Sequence, residues 1–159
     1  MLPRTGRLLA CLLVTAGLLG LGGCCTINPF SKCKAEFELL AVAQPDLNSC
    51  NEQGSFPVKL RVYSLASMPA FRAAEFETLW FDESDLDGEV LDVQMITIEP
   101  GGRLEHVWLR PAGTRAVGVV ANFCELDAGC WKQVVDVSDG QSRLSIDLAG
   151  TCLTLGASR

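Results

Sequence analysis

The sequence predicts an all-β fold in which two antiparallel sheets pack face to face as a β-sandwich with a small helical insert. Three observations support this prediction. Short runs of alternating apolar and polar residues recur along the chain, turn residues separate these runs, and only one stretch has helical spacing. The sequence shows neither an internal repeat nor a low-complexity segment.

The alternation is clearest in the first two predicted strands. Residues 34–39 alternate charged and apolar side chains, and residues 58–63 do the same on either side of a polar loop. Six further strands are predicted, separated by turn sequences such as Pro100-Gly101-Gly102. They span residues 90–98, 104–110, 115–123, 131–137, 143–148 and 151–155.

Residues 67–81 form the one convincing helical segment between these strands. Ser67 can cap the N-terminus of the helix, and Pro69 suits its first turn because that position needs no N–H donor. The aromatic residues Phe71, Phe76 and Trp80 are expected to be core anchors rather than ligand-binding groups.

The N-terminal residues have the features of a bacterial lipoprotein signal peptide. Arg4 and Arg7 precede a charge-free apolar run, and the sequence Leu21-Gly-Gly-Cys24 forms a lipobox at the end of that run. We therefore expect cleavage after residue 23 and a lipid anchor on Cys24, whose several acyl chains hold the protein firmly in a membrane. A secreted protein with a coincidental cysteine and a transmembrane anchor are the alternatives, although the run is short for a span. The predicted organisation is a signal peptide at 1–23, a lipid-anchored tether at 24–32 and a β-sandwich domain at 33–159.

The charge of the remaining chain argues against nucleic acid as a partner. After removal of residues 1–23 the chain would keep 136 residues, enough for one domain, with 11 basic and 19 acidic residues. A net charge of −8 repels phosphate backbones. The residue after Cys24 is Cys25 and not the aspartate that favours retention in the inner membrane. We therefore expect the protein on the periplasmic face of the outer membrane.

The cysteine content favours disulfides over a zinc site, because the spacings are irregular and there is a single histidine. Six cysteines remain after cleavage and lipidation, and six allow 15 pairings that sequence alone does not distinguish. They are Cys25, Cys33, Cys50, Cys124, Cys130 and Cys152. We expect one pair, Cys124 with Cys130, because the runs that flank them are predicted as neighbouring strands of a hairpin, whose Cα atoms approach to about 5.5 Å.

The sequence contains no recognisable catalytic, cofactor or metal motif. His106 alternates with Leu104 and Trp108, so it is expected to fill or border a sheet face rather than to transfer protons. Residues 83–88 resemble the start of an EF-hand loop, but Gln94 stands at position 12, where calcium needs a bidentate carboxylate. We expect a protein that is not an enzyme, with no catalytic residue, no metal, no cofactor and no small-molecule substrate.

Several segments together resemble the type VI secretion lipoprotein family TssJ. They are the strand Pro57-Val-Lys-Leu-Arg-Val-Tyr-Ser-Leu65, the helical elements Ala70-Phe71 and Phe76-Glu-Thr-Leu-Trp80, an acidic loop, the strand Val117-Gly-Val-Val-Ala-Asn-Phe123, the segment Trp131-Lys-Gln-Val-Val135, and the lipobox. The resemblance covers about residues 35–155. It implies a transthyretin-like sandwich and an outer-membrane lipoprotein that binds the periplasmic domain of the inner-membrane protein TssM. Cys124 and Cys130 depart from the family pattern, which commonly has polar residues there.

The loop of residues 46–54 is the predicted partner-binding site. It is the longest non-helical connection, and a sandwich holds the loops at its ends rigidly. The resemblance adds weight, because the loop between the first two strands is implicated in TssM binding in that family. A plain solvated loop stapled through Cys50 is the alternative. The predicted contact residues, with Leu47 as the single apolar anchor, are Asp46, Leu47, Asn48, Asn51, Glu52 and Gln53.

Two other classes of protein stay open at this point. A periplasmic lipoprotein inhibitor of a hydrolase, of the lysozyme or protease type, is suggested by a stapled loop between Cys124 and Cys130. A carbohydrate-binding sandwich would need a row of exposed aromatic residues. The available ones, Tyr63, Trp80, Trp108 and Trp131, lie where a core or a sheet edge is expected.

Overall fold

A computed structural model of the protein describes residues 36–50, 54–86, 88–126 and 129–159. The elements in this part of the chain are β1 (Glu36–Ala43), β2 (Val58–Leu65), α1 (Pro69–Ala73), α2 (Phe76–Phe81), a 3₁₀ turn (Glu83–Leu86), β3 (Val90–Ile98), β4 (Arg103–Leu109), β5 (Ala116–Ala121), β6 (Lys132–Asp136), β7 (Arg143–Ala149) and β8 (Cys152–Ser158). All eight predicted strands are confirmed, with shifts of a few residues at their ends. The predictions for the signal peptide, Cys24 and the tether lie outside the described residues.

The strands form two four-stranded sheets, as the predicted sandwich requires. Sheet A has the strand order β4-β1-β7-β8, and sheet B has the order β3-β2-β5-β6. Neighbouring strands are antiparallel with one exception, since β1 and β7 run parallel, with Leu39 opposite Leu144. These two strands are far apart in the sequence, so no hairpin dictates their relative direction. The all-β sandwich is therefore confirmed, and its fully antiparallel pairing is corrected at this one pair.

The main core fills the space between the two sheets. Strand β7 illustrates the pattern, because Leu144, Ile146 and Leu148 are buried while Arg143 and the other alternate residues are exposed. Inward-facing residues of β1, β2 and β5 also contribute to this core. Each large apolar side chain that is fully buried contributes about 1.5–3 kcal/mol relative to exposure.

A second apolar cluster lies on the outer face of sheet B, where α1 and α2 cover the sheet. Phe71 and Leu79 from the helices are fully buried, and they pack with Tyr63 and Leu65 of β2. The ring of Phe71 lies directly over Gly118 of β5, where a larger residue would collide with it. The prediction that Phe71, Phe76 and Trp80 are core anchors is confirmed, with Phe71 and Phe76 buried and Trp80 partly buried against the same cluster.

The single helix predicted over residues 67–81 is wrong, because Ala74 is extended, with a ψ of 142°, and divides the segment into two short helices. Charged side chains from sheet B satisfy the carbonyl groups at both helix ends. The Lys132 ammonium donates to the carbonyl of Arg72 at 2.8 Å, and the Arg61 guanidinium donates to the carbonyls of Leu79 and Trp80. In the described residues, no helix has both the length and the apolar character needed to cross a membrane.

The N-terminus of α1 is capped by Glu89 and not by Ser67, which was the expected cap. The Glu89 carboxylate accepts hydrogen bonds from the backbone N–H groups of Ala70 and Phe71 at 3.1–3.2 Å. The Ser67 hydroxyl donates to the same carboxylate at 2.6 Å. Burial alone would raise the pKa of Glu89, but these hydrogen bonds outweigh it and hold the pKa below its ordinary value.

Tyr63 fixes the other helix to the sheet. Its hydroxyl donates to the carbonyl of Leu79 in α2. Burial raises the pKa of this phenol to about 12, although the nearby Arg61 acts in the opposite direction. Tyr63 therefore stays protonated at neutral pH and keeps its donor.

Candidate functional site

Four loops meet at one end of the sandwich, and we call this surface the loop end. They are residues 44–57 between β1 and β2, 99–102 between β3 and β4, 122–131 between β5 and β6, and 150–151 between β7 and β8. Backbone hydrogen bonds connect them. The N–H of Gly101 donates to the carbonyl of Gln44 at 3.1 Å, and the N–H of Asn48 donates to the carbonyl of Gly150 at 2.7 Å.

Two disulfides staple the loop end, and both include a cysteine of the β5–β6 loop. Cys50 pairs with Cys124, with their Cα atoms 6.2 Å apart, and Cys130 pairs with Cys152 at 5.0 Å. Both distances are within the range that disulfides accept. The predicted Cys124–Cys130 disulfide is therefore wrong. Cys25 and Cys33 lie outside the described residues.

The expected hairpin pairing fails because the two cysteines lie beyond the end of the β-ladder. The N–H of Ala121 donates to the carbonyl of Trp131 at 2.8 Å, and past this bond the two sides of the loop turn towards different neighbours. The N–H of Cys124 donates to Oδ1 of Asn48 at 2.8 Å. The carbonyl of Cys130 accepts from the N–H of Leu153 at 3.0 Å. Each cysteine thus lies beside the strand or loop that supplies its partner.

Two of the predicted contact residues are structural. Leu47 has no exposed surface and packs into the main core, so the prediction that it is an apolar surface anchor is wrong. Asn48 is only 6% exposed, and its side chain accepts the hydrogen bond from Cys124. The loop folds back over the end of the sandwich because Leu47, its one aliphatic residue, packs into the core there. Replacing either residue would change stability as well as the surface.

The other four predicted contact residues remain predictions. Asp46 is exposed at the loop end, whereas Asn51, Glu52 and Gln53 lie outside the described residues. Phe56, which is not among the predicted contacts, has a side chain that is 38% exposed in the same loop. Its position could have indicated exposure, because Phe56 lies just before β2, where apolar and polar residues do not alternate. Phe56, rather than Leu47, is the large apolar group that this loop presents to solvent.

The described residues of the four loops carry acidic groups and no lysine or arginine. Asp46, Glu99 and Glu125 are exposed, one in each of three loops. Hydrogen bonds between the hydroxyls of Ser49 and Ser55 and from Ser55 to the carbonyl of Pro45, both 2.8 Å long, hold the β1–β2 loop closed. The loop end is thus a firmly held acidic surface with one exposed aromatic side chain.

The residues considered above for catalysis and for calcium binding lie in ordinary structural positions. His106 is half-buried on β4 and its ring stacks on Trp108 with 6.0 Å between ring centroids, which confirms that it borders a sheet face. Gln94 lies within β3, as expected, and donates to Asp92 at 2.7 Å. Among the described side chains, no group of three or more His, Cys, Asp or Glu residues is placed to hold a metal ion.

The fold and the loop end define a disulfide-stapled β-sandwich with an acidic loop surface at one end. The chain belongs to the Type VI secretion lipoprotein family (VasD, EvfM, TssJ), whose model T6SS-SciN matches residues 35–151. The resemblance described above is thereby confirmed. The family is a lipoprotein component of type VI secretion and not an enzyme family. No curated protein matches the chain.

Several solved structures have the same fold. The T6SS lipoprotein TssJ1 from Pseudomonas aeruginosa matches with a TM-score of 0.72 and 26% identity, covering 79% of this chain and 98% of that chain. Serratia marcescens Lip, a membrane-bound component of the Type VI Secretion System, matches with a TM-score of 0.68 and 21% identity, covering 77% and 97%. A chain in a structure described as the T6SS protein TssM C-terminal domain from EAEC matches with a TM-score of 0.65 and 21% identity, covering 76% and 97%.

Proposed function

We propose that this chain is an outer-membrane lipoprotein of the type VI secretion system that binds the periplasmic domain of TssM through its loop end. In this role it anchors the membrane complex of the system to the outer membrane. Membership of the lipoprotein family supports the proposal. A chain of this fold also occurs in a structure described as the TssM C-terminal domain, which supports the choice of partner. The single observation that supports the choice of the loop end as the binding site is the convergence of four stapled loops at one end of the sandwich.

The rigidity of the loop end is what suits it to binding. Disulfides at Cys50 and Cys130, together with the buried Leu47 and Asn48, hold the exposed groups in place before any partner arrives. A preorganised surface loses little conformational entropy on association, so more of the contact energy contributes to affinity.

The charge of the loop end indicates the character of the partner surface. Asp46, Glu99 and Glu125 favour a basic patch on TssM, and such pairs at the rim of an interface act mainly on the association rate. Added salt should therefore slow binding, because the Debye length falls from about 10 Å at 0.1 M to about 3 Å at 1 M.

A binding assay with charge-reversed variants tests the loop end. Asp46→Arg combined with Glu125→Arg is expected to weaken binding of the mature protein to the TssM periplasmic domain by at least tenfold, about 1.4 kcal/mol. Asp139→Arg is the matched control, because Asp139 is exposed in the β6–β7 turn at the opposite end of the sandwich. Equal dissociation constants for the double variant and the control would reject the loop end as the site.

A separate experiment tests the anchor. Cys24→Ser in the full chain is expected to give an uncleaved, mislocalised precursor, whereas the wild-type protein should fractionate with the outer membrane and carry acyl groups in its intact mass. A mature protein that begins at another residue, or one that fractionates with the inner membrane, would contradict this part of the proposal.

The rival hypothesis of a hydrolase inhibitor loses the feature that suggested it. That feature was a short loop closed on itself by Cys124 and Cys130, and these cysteines pair instead with Cys50 and Cys152. Tyr63 is buried, and Trp108 packs in the main core, so neither contributes to a row of exposed aromatics for a carbohydrate.

A further inference from the structure

The two flanks of the sandwich, where the edges of the sheets lie, differ in how they are closed. On one flank β6 of sheet B contacts β8 of sheet A, and the Cys130–Cys152 disulfide fastens them together. The other flank consists of β3 and β4, which are the edge strands of sheets B and A. The 99–102 turn joins these two strands, and the turn itself belongs to the loop end.

The outer edge of β3 is free to pair. β3 hydrogen-bonds to β2 on one side, and within the described residues no other backbone or side-chain hydrogen bond reaches its backbone. At nine residues it is the longest strand of the fold. Exposed edges in proteins are commonly protected by lysine, proline or a β-bulge. β3 contains neither lysine nor proline, and its bulge lies at its N-terminal end, between Val90 and Asp92.

Exposed apolar side chains concentrate on this flank. Six large apolar residues of the described chain are exposed, and four of them lie on β3 or β4. On β3 these are Leu91, 39% exposed, and Met95, 60% exposed. Met95 lies opposite Arg61 on the helix-covered face of sheet B, whereas Leu91 is the unpaired residue of a β-bulge between Val90 and Asp92.

Phe81, 77% exposed, lies on that face as well. It follows Trp80, whose carbonyl accepts a hydrogen bond from Arg61, and Arg61 is the cross-strand neighbour of Met95. We call these exposed apolar residues, Met95 and Phe81 on this face and Leu91 at the bulge, the β3 strip.

We infer that an extended segment of the partner protein adds to the free edge of β3 as a fifth strand of sheet B, with apolar side chains against the β3 strip. This inference rests on the function proposed above. Strand addition of this kind draws affinity from backbone hydrogen bonds and specificity from alternate side chains. A partner seated on the loop end is within reach of the edge, because β3 runs directly into the 99–102 turn.

The charge of β3 favours a different protein over a second copy of this chain. The charged groups of β3 and its C-terminal end are Asp92 and Glu99, and a second acidic chain would bring the same carboxylates to the edge. The net charge of −6 also opposes self-association. The added segment is therefore expected to carry lysine or arginine close to its apolar residues.

Hydrogen exchange of the mature protein, alone and with the TssM periplasmic domain, tests strand addition directly. The outward-facing amides of residues 90–98 are expected to gain protection on binding, because they would enter a new ladder. The amides of β4, residues 103–109, are expected to be unchanged. Protection of β4 without protection of β3, or protection of β3 through a dimer formed without the partner, would overturn the inference.

A matched pair of variants completes the test. Met95→Lys is expected to weaken binding about tenfold and to abolish the gain in β3 protection. Val107→Lys on β4, at the similar exposure of 56%, is expected to bind like the wild type. Both variants should keep the wild-type melting temperature, since both side chains are largely exposed.

The two proposals fail in different ways. If the complex forms but β3 gains no protection and Met95→Lys binds normally, the strand-addition inference is overturned and the loop-end function stands. If no complex forms with the wild-type protein, both are overturned.

Discussion

The backbone N–H of Cys124 donates a 2.8 Å hydrogen bond to Oδ1 of Asn48, and this bond joins two loops that are 76 residues apart. Asn48 has a positive φ of 56°, a left-handed conformation that asparagine adopts more readily than most residues. Its own N–H donates to the carbonyl of Gly150 at 2.7 Å. One nearly buried residue therefore holds three of the four loops of the proposed binding surface together.

Replacing Asn48 by alanine is expected to lower the free energy of unfolding by about 2 kcal/mol. The substitution leaves the N–H of Cys124 without its acceptor and puts alanine in a left-handed conformation. Urea denaturation with the disulfides intact measures the change. Asn48→Asp is the control, because it keeps an acceptor oxygen at the same place and should lose less. An alanine variant as stable as the wild type would show that the bond contributes nothing.

The strands were predictable from the sequence because each of them has one face in the core. In β7 apolar and polar residues alternate along the whole strand, and in β1 they alternate over residues 36–39, so the pattern fixes both the strand and its inward face. The parallel pairing of β1 with β7 was not predictable, since alternation says nothing about which strands become neighbours. The burial of Leu47 and the exposure of Phe56 were not predictable either. The composition around both residues indicates only a polar loop and does not show which of the two side chains packs into the core.

Other features depend on partners that are distant in the sequence. The break at Ala74 has no glycine or proline to mark it, and the carbonyl of Arg72 just before it accepts a hydrogen bond from Lys132, 60 residues away in the sequence. Glu89, which caps α1, is 19 residues away in the sequence from Ala70, whose N–H group donates to it. The disulfides likewise join residues 74 and 22 positions apart. Such contacts follow from the packed fold, so no spacing rule reveals them.

Removing the two disulfides separately is expected to give unequal losses of stability. In the chain-entropy model, the 74-residue separation of Cys50 and Cys124 corresponds to roughly 4.5 kcal/mol, and the 22-residue separation of Cys130 and Cys152 to roughly 3.5 kcal/mol. Paired serine substitutions, compared by denaturation under non-reducing conditions, measure both. Non-reduced peptide mapping checks the connectivity, and a peptide that links Cys124 to Cys130 would contradict it.

Gly118→Ala is expected to destabilise the protein by about 2 kcal/mol. An alanine Cβ would lie 2.5 Å from Cζ of Phe71, whose ring is held between α1 and sheet B and has little room to move. Gly156→Ala is the control, because there the nearest atom is the hydroxyl of the exposed Ser145, which can rotate away.

A double-mutant cycle tests whether the Phe71 ring is the cause. Phe71→Leu removes the ring, so Gly118→Ala should cost less in that background than in the wild type. Identical losses in both backgrounds would show that the ring does not cause the effect.

Glu89→Gln is expected to destabilise the protein by about 1 kcal/mol at neutral pH, because the cap on α1 loses its negative charge and one of its two strong acceptor oxygens. The pKa of Glu89 is lowered in the folded state, where burial opposes ionisation but the donors Ser67, Ala70 and Phe71 prevail. Its stabilising effect is therefore complete above the ordinary pKa of 4.5 and disappears as the pH falls through the lower pKa of the folded protein. Urea denaturation of both proteins between pH 7 and pH 3 should show the two free energies of unfolding converging in that acid range. A difference that persisted unchanged through this acid range would mean that the cap acts through the shape of the side chain and not through its charge.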